Sequence, residues 1–335
     1  MRRSALLFLV LGVGCAGSGT AANDDSSDAG TKVPTSSTGA SPTSSAPPPP
    51  RGPSSPLDAG VVDAGYPLTY RSSLSVCWTD AKCNRALAIS HGGDWSLTGA
   101  PYMANAALNA AFDHGSDGIK IDVRITSDGV AVLSHSSPIE YYESVDCGGK
   151  KIEEMTATDV TACHRFPTKE TYQRLDDVLN AFRGKLVVQL CVKLATDTAK
   201  IAAAVLALNA QDFAFLELDA SDVLSVVPPI PNNDKLWYLA QINQPSDVDA
   251  LLGAKNPRAF MYEFAPTDTT VANLVTTKLH PAGIKSFTYN KDTASADQVK
   301  TFFTTDGFDV VSTDATAFTV DARKQVNTAR GVSPP

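Results

Sequence analysis

Before Glu140 this chain of 335 residues contains no glutamate. Any site that needs a glutamate carboxylate from upstream of that point is excluded. Positive charge is also scarce: 28 Lys and Arg stand against 36 Asp and Glu, a formal charge of −8, with no basic run. Nucleic-acid surfaces are built from clustered Lys and Arg, so nucleic acid is excluded as a partner and simple adhesion to anionic lipid is disfavoured. The apolar run from Ala5 to Val13 is too short to span a bilayer. From Ala16 to about Tyr66 large apolar side chains are almost missing, so this stretch cannot bury enough surface to offset chain entropy.

What is present at the N-terminus is an export signal. Arg2 and Arg3 precede the apolar run, and small residues then lead into Cys15. Gly14-Cys15 resembles a bacterial lipoprotein cleavage box, with Leu11 four residues before the cysteine where such boxes usually place leucine three before it. Lipidation at Cys15 is the expectation, with ordinary cleavage near Ala21-Ala22 as the alternative. The chain then divides into a signal or lipoprotein peptide over 1–15, a disordered Ser, Thr, Pro, Ala and Gly linker over 16–69, and one folded domain over 70–325. The expected product is an exported monomer, either a cell-envelope lipoprotein held to the membrane by its lipid or a secreted protein. Export makes oxidised cysteines the rule, and proximity pairs Cys77 with Cys83 and Cys147 with Cys163, leaving Cys191 unpaired inside the fold.

Runs rich in β-branched and aromatic residues recur at 86–91, 118–123, 186–193, 213–219, 236–243, 258–264, 284–290 and 308–314, with helix-like segments between most of them. Eight strands alternating with helices is the arithmetic of an α/β fold of the (β/α)8 TIM-barrel type. The run at 130–135 follows a Ser-Asp-Gly turn too short for a parallel crossover, so it reads as a hairpin return strand. Period-2 alternation places Lys120, Asp122, Gln189, Cys191, Lys193, Glu217, Asp219, Gln241 and Glu263 on the inward faces.

The segments ALAISHGG (86–93) and GIKIDVRITSDGVAVLSHS (118–136) resemble the opening of the glycerophosphodiester phosphodiesterase family, part of the phospholipase C-like phosphodiesterase superfamily. That family begins with a His-Arg-Gly strand, a Glu-x-Asp-Val strand and a His-Asp pair. RLDDVLNAFRGKLVVQLCVK (174–193), GIKSFTYN (283–290) and DGFDVVSTD (306–314) resemble later blocks of the same family. The resemblance implies one histidine as general base and another as general acid across a phosphodiester, with a divalent cation held by two glutamates and an aspartate. His91, Asp122, His135 and Lys193 match those positions. Lys120 and Cys191 replace the two glutamates, Gly92 replaces a phosphate-gripping arginine, and Ser136 replaces an aspartate.

One carboxylate beside an ammonium is a poor site for a hard divalent cation, so no metal is expected, and calcium or magnesium bound through Asp122 with Glu217 or Asp219 is the alternative. A lysine can instead supply fixed positive charge to phosphate oxygens. The first reading is a metal-independent phosphoric diester hydrolase acting on a small phosphodiester or lipid headgroup. His91 and His135 are its acid and base, and Lys120, Asp122, Lys193 and Glu217 are its substrate-side residues. The competing reading is a catalytically degenerate barrel that binds ligand as an envelope lipoprotein. His114, His164 and His280 are expected at the surface.

Overall fold

Strand-forming runs rich in Val, Ile and Leu alternate with amphipathic helices, and the sheet they form closes on itself. The structure, a computed structural model, describes residues 77–80, 82–254, 259–264, 271–290 and 295–332. The signal segment, Cys15, Ala21-Ala22 and the linker lie outside the described residues. The strands are β1 (Leu87–His91), β2 (Gly118–Ile125), β3 (Ala131–Leu133), β4 (Val187–Val192), β5 (Ala214–Asp219), β6 (Tyr238–Gln241), β7 (Ala259–Phe264), β8 (Lys285–Asn290) and β9 (Val310–Thr313). Neighbours run β1-β9-β8-β7-β6-β5-β4-β2-β3, and a β1–β2 pairing closes the ring. All pairings in the ring are parallel, which is the expected (β/α)8 barrel. β3 returns antiparallel on β2 as the 130–135 hairpin, its turn closed by the Gly129 amide donating to the Thr126 carbonyl at 2.9 Å.

Register fixes the faces. Lys120 lies beside Gln189, Asp122 beside Cys191, Cys191 beside Glu217, and Gln241 beside Glu263. The alternate residues Ile119, Ile121, Val123, Val188, Leu190 and Val192 point outward into the main core. There the helix Leu175–Phe182 buries Leu175, Val178, Leu179 and Phe182, the i, i+3, i+4, i+7 stripe of an amphipathic helix. Each such side chain contributes roughly 1.5–3 kcal/mol by leaving water. The short link between β6 and β7 carries the helix Pro245–Gly253, opened by proline and a Gln244–Asp247 capping box.

Between β3 and β4 the chain makes a long excursion with a small core of its own, built around Ile139, Ile152, Val160 and Tyr172. This core includes the Cys147–Cys163 disulfide, and Cys77–Cys83 forms as well, so both expected pairs are present. The expectation for Cys191 is corrected: it is disulfide-bonded, and no described cysteine is free. Its buried place on β4 is compatible with either state, so strand pattern alone does not decide pairing. The Cys147–Cys163 bond closes a separation of 16 residues. Replacing both cysteines with alanine is expected to lower the unfolding free energy by about 3 kcal/mol in urea denaturation. An unchanged midpoint would mean the small core holds without its staple.

Candidate active site

The last residue of β1 and the loops after β3 and β9 deliver three chemically active side chains to one mouth of the barrel. β1 ends at His91, whose main chain pairs with Lys120 on β2. β9 lies on the other side of β1, and Asp314 follows its last residue. His91 Nδ1 lies 2.7 Å from Asp314 Oδ1, and the Tyr289 ring from β8 stacks on the imidazole at 4.2 Å between centroids. The Tyr289 hydroxyl also reaches Asp314 Oδ1 at 3.3 Å. An acceptor on Nδ1 leaves Nε2 as the atom that takes or gives a proton. Tyr102 Oη stands 3.1 Å from that Nε2 and Lys120 Nζ 3.3 Å from it.

His135 comes from the loop after β3. Its Nδ1 lies 3.3 Å from Glu143 Oε1 and 3.2 Å from Ser136 Oγ, and Ser136 Oγ donates to Glu143 at 2.9 Å. Each histidine therefore has a carboxylate behind it. His91, His135, Glu143 and Asp314 line a single open cleft of about 440 Å³, whose other walls include Trp95, Tyr102, Tyr142 and Phe166.

Beneath Tyr102 lies a charge cluster. Lys120 Nζ donates to Asp122 Oδ1 at 2.6 Å, Lys193 Nζ is 3.7 Å from the same oxygen, and the Tyr102 hydroxyl donates to Asp122 Oδ2 at 2.9 Å. Asp122 is fully buried. Burial opposes its charge, but Lys120 and Lys193 outweigh it and hold the carboxyl far below the usual carboxylate range. Burial likewise works against the Lys120 ammonium, yet Asp122 and Glu217 bring its pKa above the ordinary lysine value. At Lys193 burial prevails and the pKa falls. Burial and then Lys120 lower the His91 pKa, against the hydrogen bond that its Nδ1 donates to Asp314. His91 is thus a neutral imidazole at neutral pH.

Deeper in the lumen Glu217 accepts from Gln189 Nε2 and Gln241 Nε2, both at 2.7 Å. Burial, then Glu217, push the Glu263 carboxyl well above its ordinary value, so it stays protonated and hydrogen-bonds Glu217. Glu217 belongs to this layer, while Asp219 ends β5. Among the described residues no three His, Cys, Asp or Glu side chains converge as a metal site. With both Asp122 oxygens committed and Cys191 in a disulfide, the donor set does not fit a hard divalent cation.

Gly92 has φ +69°, and a Cβ there would stand 1.9 Å from the Tyr102 ring. Tyr102 thus fills the space that a side chain at 92 would need. His114, His164 and His280 pair near the surface with Asp94, Asp146 and Asp309, as expected. Sequence reasoning missed Asp314, Glu143, Tyr102 and Tyr289. Asp314 and Tyr289 had a signal, since they lie in the DGFDVVSTD and GIKSFTYN blocks.

The architecture matches solved phosphodiesterases. A glycerophosphoryl diester phosphodiesterase from Parabacteroides distasonis aligns with TM-score 0.63 and 16% identity, over 76% of this chain and 92% of that one. A glycerophosphodiester phosphodiesterase from Agrobacterium tumefaciens aligns with TM-score 0.57 and 21% identity, over 71% and 99%. A phosphodiesterase from Oleispira antarctica, solved with the product sn-glycerol-3-phosphate, aligns with TM-score 0.57 and 17% identity, over 73% and 99%. No curated protein matches the sequence. The model of the glycerophosphoryl diester phosphodiesterase family matches residues 104–317, and the chain belongs to that family. Its chemistry is that of a phosphodiesterase.

Proposed function

We propose that the chain hydrolyses a phosphoric diester by histidine acid–base catalysis, with fixed lysine charge in the place of a metal ion. The observation that carries this reading is the pair of carboxylate-backed imidazoles on one cleft, His91–Asp314 and His135–Glu143. His91, neutral because of burial and Lys120, takes a proton at Nε2 from the attacking water while the water oxygen bonds to phosphorus. The bond from phosphorus to the departing oxygen breaks, and His135 gives that oxygen a proton. The products are a phosphomonoester and an alcohol, and a relative solved with sn-glycerol-3-phosphate supports the class. Any phosphate oxygen held at His91 Nε2 lies near Lys120 Nζ, which stands 3.3 Å from that nitrogen. Lys120 and Lys193 both approach Asp122, and the Lys120 ammonium beside His91 Nε2 is the fixed positive charge placed to offset the developing oxyanion. Export to an oxidising compartment belongs to the same reading and is supported by the Cys77–Cys83 and Cys147–Cys163 disulfides.

The test is a pH profile. A base that must be neutral gives an acid limb at its pKa, so kcat/KM is expected to fall only below the ordinary histidine value of about 6.5. Asp314→Asn removes an influence that raises the His91 pKa, and the limb then moves to still lower pH. A limb unmoved by Asp314→Asn would take His91 out of the base role.

A further inference from the structure

Much of the cleft has no part in the proton transfers. Trp95, Pro101, Tyr142, Phe166 and Pro167 form an apolar wall continuous with the two histidines. The polar atoms on that side are engaged or shut off from solvent. Trp95 Nε1 donates to the His91 carbonyl at 3.1 Å, and the Tyr142 hydroxyl is bonded to Ser136. Arg165 Nη1 and Nη2 donate to the carbonyls of Tyr102 and Leu133, and its Nε is shut off from solvent. Tyr142 and Phe166 nevertheless stand 67% and 52% exposed, and both belong to the excursion stapled by Cys147–Cys163.

The free hydroxyls of a glycerol substituent would lose water against this wall and gain few hydrogen bonds in return. A hydrocarbon chain would cover the two exposed rings and lose nothing. Resting on the hydrolase reading above, we infer that the substrate is a phosphodiester one of whose alcohols carries an extended acyl or alkyl chain, a single-chain lipid phosphodiester. The phosphate sits at His91 and His135, and the chain lies along Trp95, Tyr142 and Phe166.

The experiment compares glycerophosphocholine with octanoyl-lysophosphatidylcholine, both kept monomeric, and separately measures binding of octylphosphocholine and glycerophosphocholine by calorimetry. Wild type is expected to favour the chain-bearing ester by roughly a hundredfold or more in kcat/KM, since each fitted methylene is worth about tenfold. Tyr142→Ser with Phe166→Ser, both at exposed positions, is expected to cut that preference by roughly tenfold or more. Equal or reversed preference in wild type, or a preference untouched by the double variant, overturns the inference. If neither ester is hydrolysed, the catalytic reading fails alone, and binding decides: octylphosphocholine held at least about tenfold tighter sustains the inference. Equal affinities overturn it.

Discussion

Replacing Lys120 with alanine is expected to lower phosphodiester hydrolysis by roughly a hundredfold or more, the usual cost of removing one preorganised charge from a transition state. Lys120 Nζ stands 3.3 Å from His91 Nε2 and 2.6 Å from Asp122 Oδ1, so one ammonium serves both the reacting oxygen and the carboxylate beneath. Because the lost interaction strengthens as charge develops, kcat should fall together with kcat/KM. A second readout separates this from simple structural damage. Lys120 lowers the His91 pKa, so its removal should move the acid limb to higher pH, opposite to Asp314→Asn. A variant with full kcat and an unmoved limb would mean that Lys120 only neutralises Asp122.

Asp122→Ala is expected to cost about 3–5 kcal/mol of stability, because it leaves two nearly buried ammoniums without the carboxylate that both of them contact. The Lys120 and Lys193 side chains are only 9% and 10% exposed. Adding Lys120→Met to Asp122→Ala should recover much of the loss, since one stranded charge goes with it. The effect also has a pH signature. The folded-state pKa of Asp122 is depressed, so its contribution is full above the unfolded carboxylate value of about 3.9 and is lost as pH falls toward the folded value. The gap between wild type and Asp122→Ala in urea denaturation should therefore be wide at neutral pH and narrow below about pH 4. A gap under about 1 kcal/mol at neutral pH would place the cluster in contact with solvent.

Much of this barrel was legible in the sequence because strand parity and spacing are local properties. Seven of the eight parallel strands fall within the segments identified from their composition and β2 runs two residues past its segment to Ile125, while the short return strand follows from a turn too tight for a crossover. The inward set was also readable, since alternation alone puts Lys120, Asp122 and Glu217 on one side. What stayed hidden depends on closure and on loops. Asp314 backs His91 only because β9 pairs with β1 across the seam of the barrel. Glu143 lies in a loop with no periodic pattern, and its place behind His135 follows from the excursion's own fold. Tyr102 occupies the space left by Gly92, a complementarity that no single position announces. That Lys120 and Lys193 both turn onto Asp122 is likewise a matter of side-chain packing, which strand parity does not encode.

The central claim is that lysine charge and two histidines perform the hydrolysis without a divalent cation. Wild-type turnover of a phosphodiester panel, measured in excess chelator and then with calcium or magnesium added back, tests it most directly. The account predicts the same rate in all three conditions. Activity that vanishes with chelator and returns with the ion would contradict it.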